Sequence, residues 1–70
     1  MTIGDRIRDL RQQRGMTQAQ VARLANGTLR ERRINDIERN RRRSVTLFTL
    51  HQLARGLGVT LMELMEGVTE

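Results

Sequence analysis

Seventy residues with no Cys, no Pro and a single aromatic, Phe48, exclude a disulfide framework, a thiolate zinc site and a turn-rich sandwich of aromatic strands. The chain also lacks the apolar run of about 7–15 residues that marks a secretory leader and the run of about 18 that crosses a bilayer, so the reading predicts a cytoplasmic protein. All thirteen basic residues are Arg, and eight of them fall between Arg23 and Arg43 against three acids, Glu31, Asp36 and Glu38, which concentrates the whole net charge of +5 in one third of the chain, as a polyanion-binding face requires.

In chain order, Ile3, Ile7 and Leu10 recur at i, i+4, i+7 and predict a first helix that Gly15 ends. Thr17 is the expected N-cap of a second helix, residues 17–25, with Gln20 completing a capping box and Val21, Leu24 and Ala25 forming the inner face. Asn26 and Gly27 both tolerate positive φ and suit a sharp reversal. A third helix is expected from Thr28 or Leu29 to Arg39, anchored by Ile34 and Ile37, followed by a basic loop to Ser44. Thr46 then caps a fourth helix carrying Leu47, Leu50, Leu53, Ala54 and Leu57, which Gly58 closes. Thr60 with Glu63 repeats the capping box before a short fifth helix of Leu61, Leu64, Met65 and Val68. Met16, Met62 and Met65 read as core gap-fillers, although Phe48 and Met62 fall beside their helices' main stripes, where they would make an exposed apolar patch.

At 100° per residue, the third helix places Ile34, Ile37, Glu38 and the stem of Arg30 on one side, with Arg32, Asn35, Asp36 and Arg39 opposite. That outer face has the spacing of a core stripe yet holds donors and acceptors. Arg suits guanine O6 and N7, Asn suits adenine N6 and N7, and a carboxylate accepts from cytosine N4. The start of the second helix, at Thr17 and Gln18, offers amides where a phosphate could sit.

Taken in order, Gly15-Met16-Thr17-Gln18 with Val21-Ala22, then Ile34 and Ile37-Glu38-Arg39-Asn40, then Leu47, Leu50, Leu53-Ala54 and Leu57-Gly58-Val59, resemble the lambda-repressor-like, or Cro, helix-turn-helix family of bacterial and phage transcriptional regulators. The resemblance covers roughly Ile3 to Gly67. It implies an all-α, five-helix fold for residues 1–70 as a single domain, with helices 2 and 3 forming the helix-turn-helix. It further implies a recognition helix, residues 29–39, in the major groove of double-stranded DNA, with Thr28, Glu31, Arg32, Asn35, Asp36 and Arg39 as base contacts. Gln18 with Thr17, and the loop carrying Arg41, Arg42 and Arg43, are the implied phosphate contacts, and Gln18 is also implied to help orient the recognition helix. Arg11 and Glu38 are the implied ion pair tying helix 1 to the end of helix 3. Family members bind palindromic sites as dimers, so a homodimer is expected, with Met62 and Met65 at its interface and the protein on the nucleoid when bound.

The sequence departs from the family in two places. The stretch between Ala25 and Ile34 exceeds the usual turn by about two residues, so either the turn is longer or the recognition helix starts early. Ser44-Val45 stands where the family often has Pro.

His51 has no Cys partner, and neither a nucleophile-base arrangement nor a Gly-rich phosphate loop is visible, so the reading holds no metal, no cofactor, no small-molecule ligand and no enzyme activity. The competing reading is an antitoxin-like interaction module with secondary DNA binding, for which little chain is left beyond the core. RNA or membrane binding through the Arg cluster lacks the stacking aromatics or the amphipathic Trp and Phe face those tasks favour.

Overall fold

Four threonines start four of the helices. In the computed structural model, which describes residues 1–25, 29–40 and 45–69, the described residues form five helices and no strand. These are α1 (Ile3–Gln13), α2 (Gln18–Leu24), α3 (Glu31–Glu38), α4 (Leu47–Leu57) and α5 (Leu61–Met65). The hydroxyls of Thr2, Thr17, Thr46 and Thr60 each accept a hydrogen bond from the backbone N–H three residues on, at 3.1–3.2 Å. In α2 and α5 the box closes, with Gln20 Oε1 accepting from the Thr17 N–H at 2.7 Å and Glu63 Oε1 from the Thr60 N–H at 3.0 Å. The bonds from Thr60 hold the Glu63 carboxyl below its ordinary value.

A second device repeats along the chain. Met16 and Val21, Leu29 and Ile34, Val45 and Leu50, and Val59 and Leu64 occupy the position before each cap and the fourth helical position, the two sites of a hydrophobic staple. All eight side chains lie in the core or pack against it. The second of these staples explains why α3 begins later than expected. Leu29, only 3% exposed, is buried ahead of the helix, and Arg30 takes extended backbone (φ −91°, ψ 151°) as an N-cap without a side-chain cap. The longer stretch before Ile34 therefore goes into the connection and not into an early helical turn. Thr28 lies outside the described residues, and Arg30 is exposed, its stem no part of the inner face.

The core joins Ile7, Leu10, Val21, Ala25, Leu29, Ile34, Ile37, Leu53, Ala54, Leu57 and Leu64. Two leucines expected there lie outside it. Leu24 is 56% exposed because α2 turns Val21, Ala25 and Ala22 inward, leaving Leu24 about a quarter-turn off that face. Leu47 is 61% exposed for the same reason on α4, whose inner face centres on Leu53, Leu57 and the unanticipated Gly56 and Thr49. Met62, 84% exposed, fills no gap; Met16 packs against the core and Met65 is half-buried.

Two close approaches set the helix angles. At Gly56 the α4 backbone comes so near α2 that an added Cβ would sit 2.6 Å from the Val21 carbonyl oxygen and 3.2 Å from Ala25 Cβ. At Gly4 the first turn of α1 lies against the Ile37 carbonyl and the side chain of Asn40, the residue that ends α3 in the left-handed conformation (φ 58°). Gly56→Ala is expected to lower the unfolding free energy by about 1–3 kcal/mol, because parting two packed helices outweighs the better helix propensity of Ala. A lower urea midpoint at unchanged slope measures this.

Candidate nucleic-acid interface

α3 is pinned from below. Ile34 and Ile37 enter the core, and Glu38, its side chain 4% exposed, meets Arg11 of α1 in a two-pronged pair: Nε donates to Oε2 at 2.7 Å and Nη2 to Oε1 at 2.8 Å. Arg11 Nη1 also donates to the Met16 carbonyl at 3.0 Å, which fixes the entry to α2. The hydrogen bond with Glu38 holds the Arg11 guanidinium above its ordinary value against the opposing effect of burial. One side-chain cluster thus locks α1, the start of α2 and the end of α3 together.

Gln18, the first residue of α2, extends this cluster. Its Nε2 donates to Glu38 Oε1 at 3.2 Å and to Asn35 Oδ1 at 3.3 Å. Thr17 beside it is exposed, its hydroxyl oxygen accepting from the Gln20 N–H and its own N–H donating to Gln20 Oε1 in the capping box. The outer face of α3 then presents Glu31, Arg32 and Arg39 exposed, with Asn35 and Asp36 half-buried beside them. Arg33, flanking this face, is half-buried with its Nε lacking a hydrogen-bond partner. Arg41, Arg42 and Arg43 lie outside the described residues.

The sequence pattern brings Arg11, Glu38, Gln18 and Asn35 onto adjacent elements, and the structure joins them in one hydrogen-bonded run. The tether from Gln18 to Asn35 carries no sequence signal, since either residue alone reads as an independent contact. The role of Leu29 was likewise hidden, although an apolar residue five positions before Ile34 repeats the spacing of the other three staples.

Phe48, His51, Arg55, Val59 and Leu61, with Ala25 at the end of α2, line an open groove of about 500 Å³ along α4 and α5. Phe48, on its wall, and Met62, outside its lining, are both exposed. Among the described residues no cluster of His, Cys, Asp or Glu could hold a metal, and no helix is long and apolar enough to cross a membrane.

A helix-turn-helix family model matches residues 7–64 of the chain. The chain belongs to the lambda-repressor-like helix-turn-helix family. Among solved structures, this helix-turn-helix chain is similar to the restriction-modification controller protein C.AhdI from Aeromonas hydrophila, with 32% identity over 89% of each chain and a TM-score of 0.78. It is also similar to the wild-type restriction-modification controller C.Esp1396I, at 33% identity over 91% of this chain and 79% of that one, TM-score 0.80. A third likeness is to SinR, the master regulator for biofilm formation, solved in complex with DNA, at 25% identity over 93% of this chain and all of that one, TM-score 0.80. No curated protein matches significantly. The matched segment runs from α1 into α5 and therefore includes both α2 and α3.

Proposed function

We propose that this protein is a bacterial or phage transcriptional regulator that binds double-stranded DNA in a sequence-specific manner, with α3 in the major groove. The observation that carries the reading is the division of α3 into a face locked in the core by Ile34, Ile37 and Glu38 and an exposed face carrying Arg32 and Arg39. Arg32, Asn35, Asp36 and Arg39 are the base-reading set, with Glu31 and Thr28 at the leading end. The start of α2, through the Thr17 hydroxyl proton and the Gln18 backbone N–H, and the guanidiniums of Arg41, Arg42 and Arg43 meet phosphates, which fixes register without reading sequence. C.AhdI and C.Esp1396I are restriction-modification controllers and SinR is a regulator solved on DNA, which supports the same task here. Such a protein works in the cytoplasm, on the nucleoid, and the 70 residues act as a single DNA-binding domain.

Two substitutions test the division of labour. Arg32→Ala is expected to cost about 1–3 kcal/mol on the preferred duplex and to relax selectivity at one base pair. Arg42→Ala is expected to weaken all duplexes alike and to flatten the salt slope by about one unit. Equal losses from both variants on preferred and random DNA would remove base reading from the proposal.

The protein pairs as a homodimer on a palindromic site, its two α3 helices about 34 Å apart. The exposed apolar side chains of Phe48, on the wall of the groove, and of Met62 on α5, with the half-buried Met65, supply the contact. Sedimentation of the protein on its duplex is expected to give two chains per site, reduced to one by Met62→Arg. A wild-type monomer both free and on DNA rejects the dimer.

A further inference from the structure

The run from Arg11 to Asn35 has a fixed polarity, and that polarity reaches the base-reading face. Glu38 is buried, and each of its two carboxyl oxygens accepts a hydrogen bond from the Arg11 guanidinium. The Gln18 atom 3.2 Å from Glu38 Oε1 must therefore be the amide nitrogen; turning the amide over would set two oxygens against each other. The same Nε2 carries its second hydrogen to Asn35 at 3.3 Å, and an Asn accepts only through its carbonyl oxygen. Asn35 is thereby turned with Oδ1 toward α2, which leaves Nδ2 and its two donors on the side away from Gln18.

We propose that Gln18 is a positioning residue that passes the charge of Glu38 to Asn35, so that Asn35 meets DNA as a hydrogen-bond donor and selects guanine, whose major-groove edge offers two acceptors, over adenine. The inference rests on the proposed DNA reading and deepens it. Adenine presents one acceptor and one amino donor, and the amino group needs an acceptor in the position from which Gln18 has drawn Oδ1. Gln18 is also excluded as a side-chain phosphate ligand. Both of its N–H groups are committed, and its remaining polar atom, Oε1, repels a phosphate oxygen. Phosphate binding at this corner falls to the first backbone amides of α2, which no helical partner satisfies.

The test begins on the free protein. The side-chain amide protons of Gln18 are expected to exchange with water several-fold more slowly than those of the exposed Gln12 and Gln13; equal rates overturn the proposal. The second arm selects bound duplexes from a random pool with the wild type, Asn35→Ala and Gln18→Ala. The position whose preference Asn35→Ala erases is expected to hold guanine in the wild type, with adenine disfavoured by about tenfold, and Gln18→Ala is expected to bring adenine close to parity. Replacing that guanine by 7-deazaguanine in the wild-type duplex, which needs no altered protein, is expected to weaken wild-type binding severalfold and Asn35→Ala binding not at all. Adenine at that position in the wild type, or a guanine preference untouched in a cooperatively folded Gln18→Ala, overturns the inference and leaves the proposed function standing. A pool that yields no enriched sequence overturns both.

Discussion

Glu38→Ala is expected to lower the unfolding free energy by about 3–5 kcal/mol, the usual consequence of removing one partner from a buried pair and leaving the other charge unpaired. The stranded group is Arg11, whose side chain is 15% exposed and whose Nε and Nη2 lose both carboxylate acceptors at once. A chain of this size has a total stability of only a few to about ten kcal/mol, so the variant is expected to be substantially unfolded at physiological temperature. Replacing both partners, Arg11→Met with Glu38→Leu, is expected to restore much of the loss, since apolar groups of similar volume need no solvation. Urea titrations of the two singles and the double decide this. A double variant as unstable as the sum of the singles would show no coupling between Arg11 and Glu38 and would overturn this account of the pair. The Glu38 effect is also expected to change little between low and moderate salt, because a pair buried to this extent is poorly screened.

Leu29→Ala is expected to cost about 2–5 kcal/mol, as large as any core truncation, although Leu29 belongs to no helix. Its side chain fills the interior beside Ile34 and fixes the angle at which the chain enters α3. Leu24→Ala and Leu47→Ala are the controls. Both leucines sit on helices, both are more than half exposed, and each truncation is expected to change stability by no more than about 0.5 kcal/mol. The stable fraction of Leu29→Ala is further expected to bind DNA less tightly, because the missing staple loosens the start of the reading helix. Denaturant midpoints and duplex titrations on the same preparations separate the two effects.

These contrasts mark where the sequence was legible. Threonine caps with Gln20 and Glu63 three residues on announce α2 and α5 because the capping hydrogen bonds are local, made between residues three apart. The start of α3 carries no such mark, since Arg30 offers no oxygen to the first turn, and an apolar Leu29 in a helical pattern reads as part of the helix. Leu24 and Leu47 were misassigned because periodicity says that a face is apolar without saying which way the helix is rolled. The roll of α2 on α4 is set by a missing side chain, Gly56 against the Val21 carbonyl, and an absent Cβ leaves no trace in a hydrophobic pattern. Arg11 and Glu38 were accessible from the helical wheel together with the family likeness. The link through Gln18 to Asn35 was not, because it depends on the distance between two elements that only the packed core determines.

The split of α3 between Ile34, Ile37 and Glu38 beneath and Glu31, Arg32 and Arg39 above has an evolutionary consequence. The three upper residues carry no share of the interior, so each is free to drift at a stability change of no more than about 0.5 kcal/mol. On the proposed DNA reading, new operators become reachable by exchange at these positions, as on a keyboard whose keys lift out without disturbing the frame. Asn35 is the key fastened to the frame: altering it disturbs the run that ends in the buried ion pair, so the letter it reads should be the slowest to change.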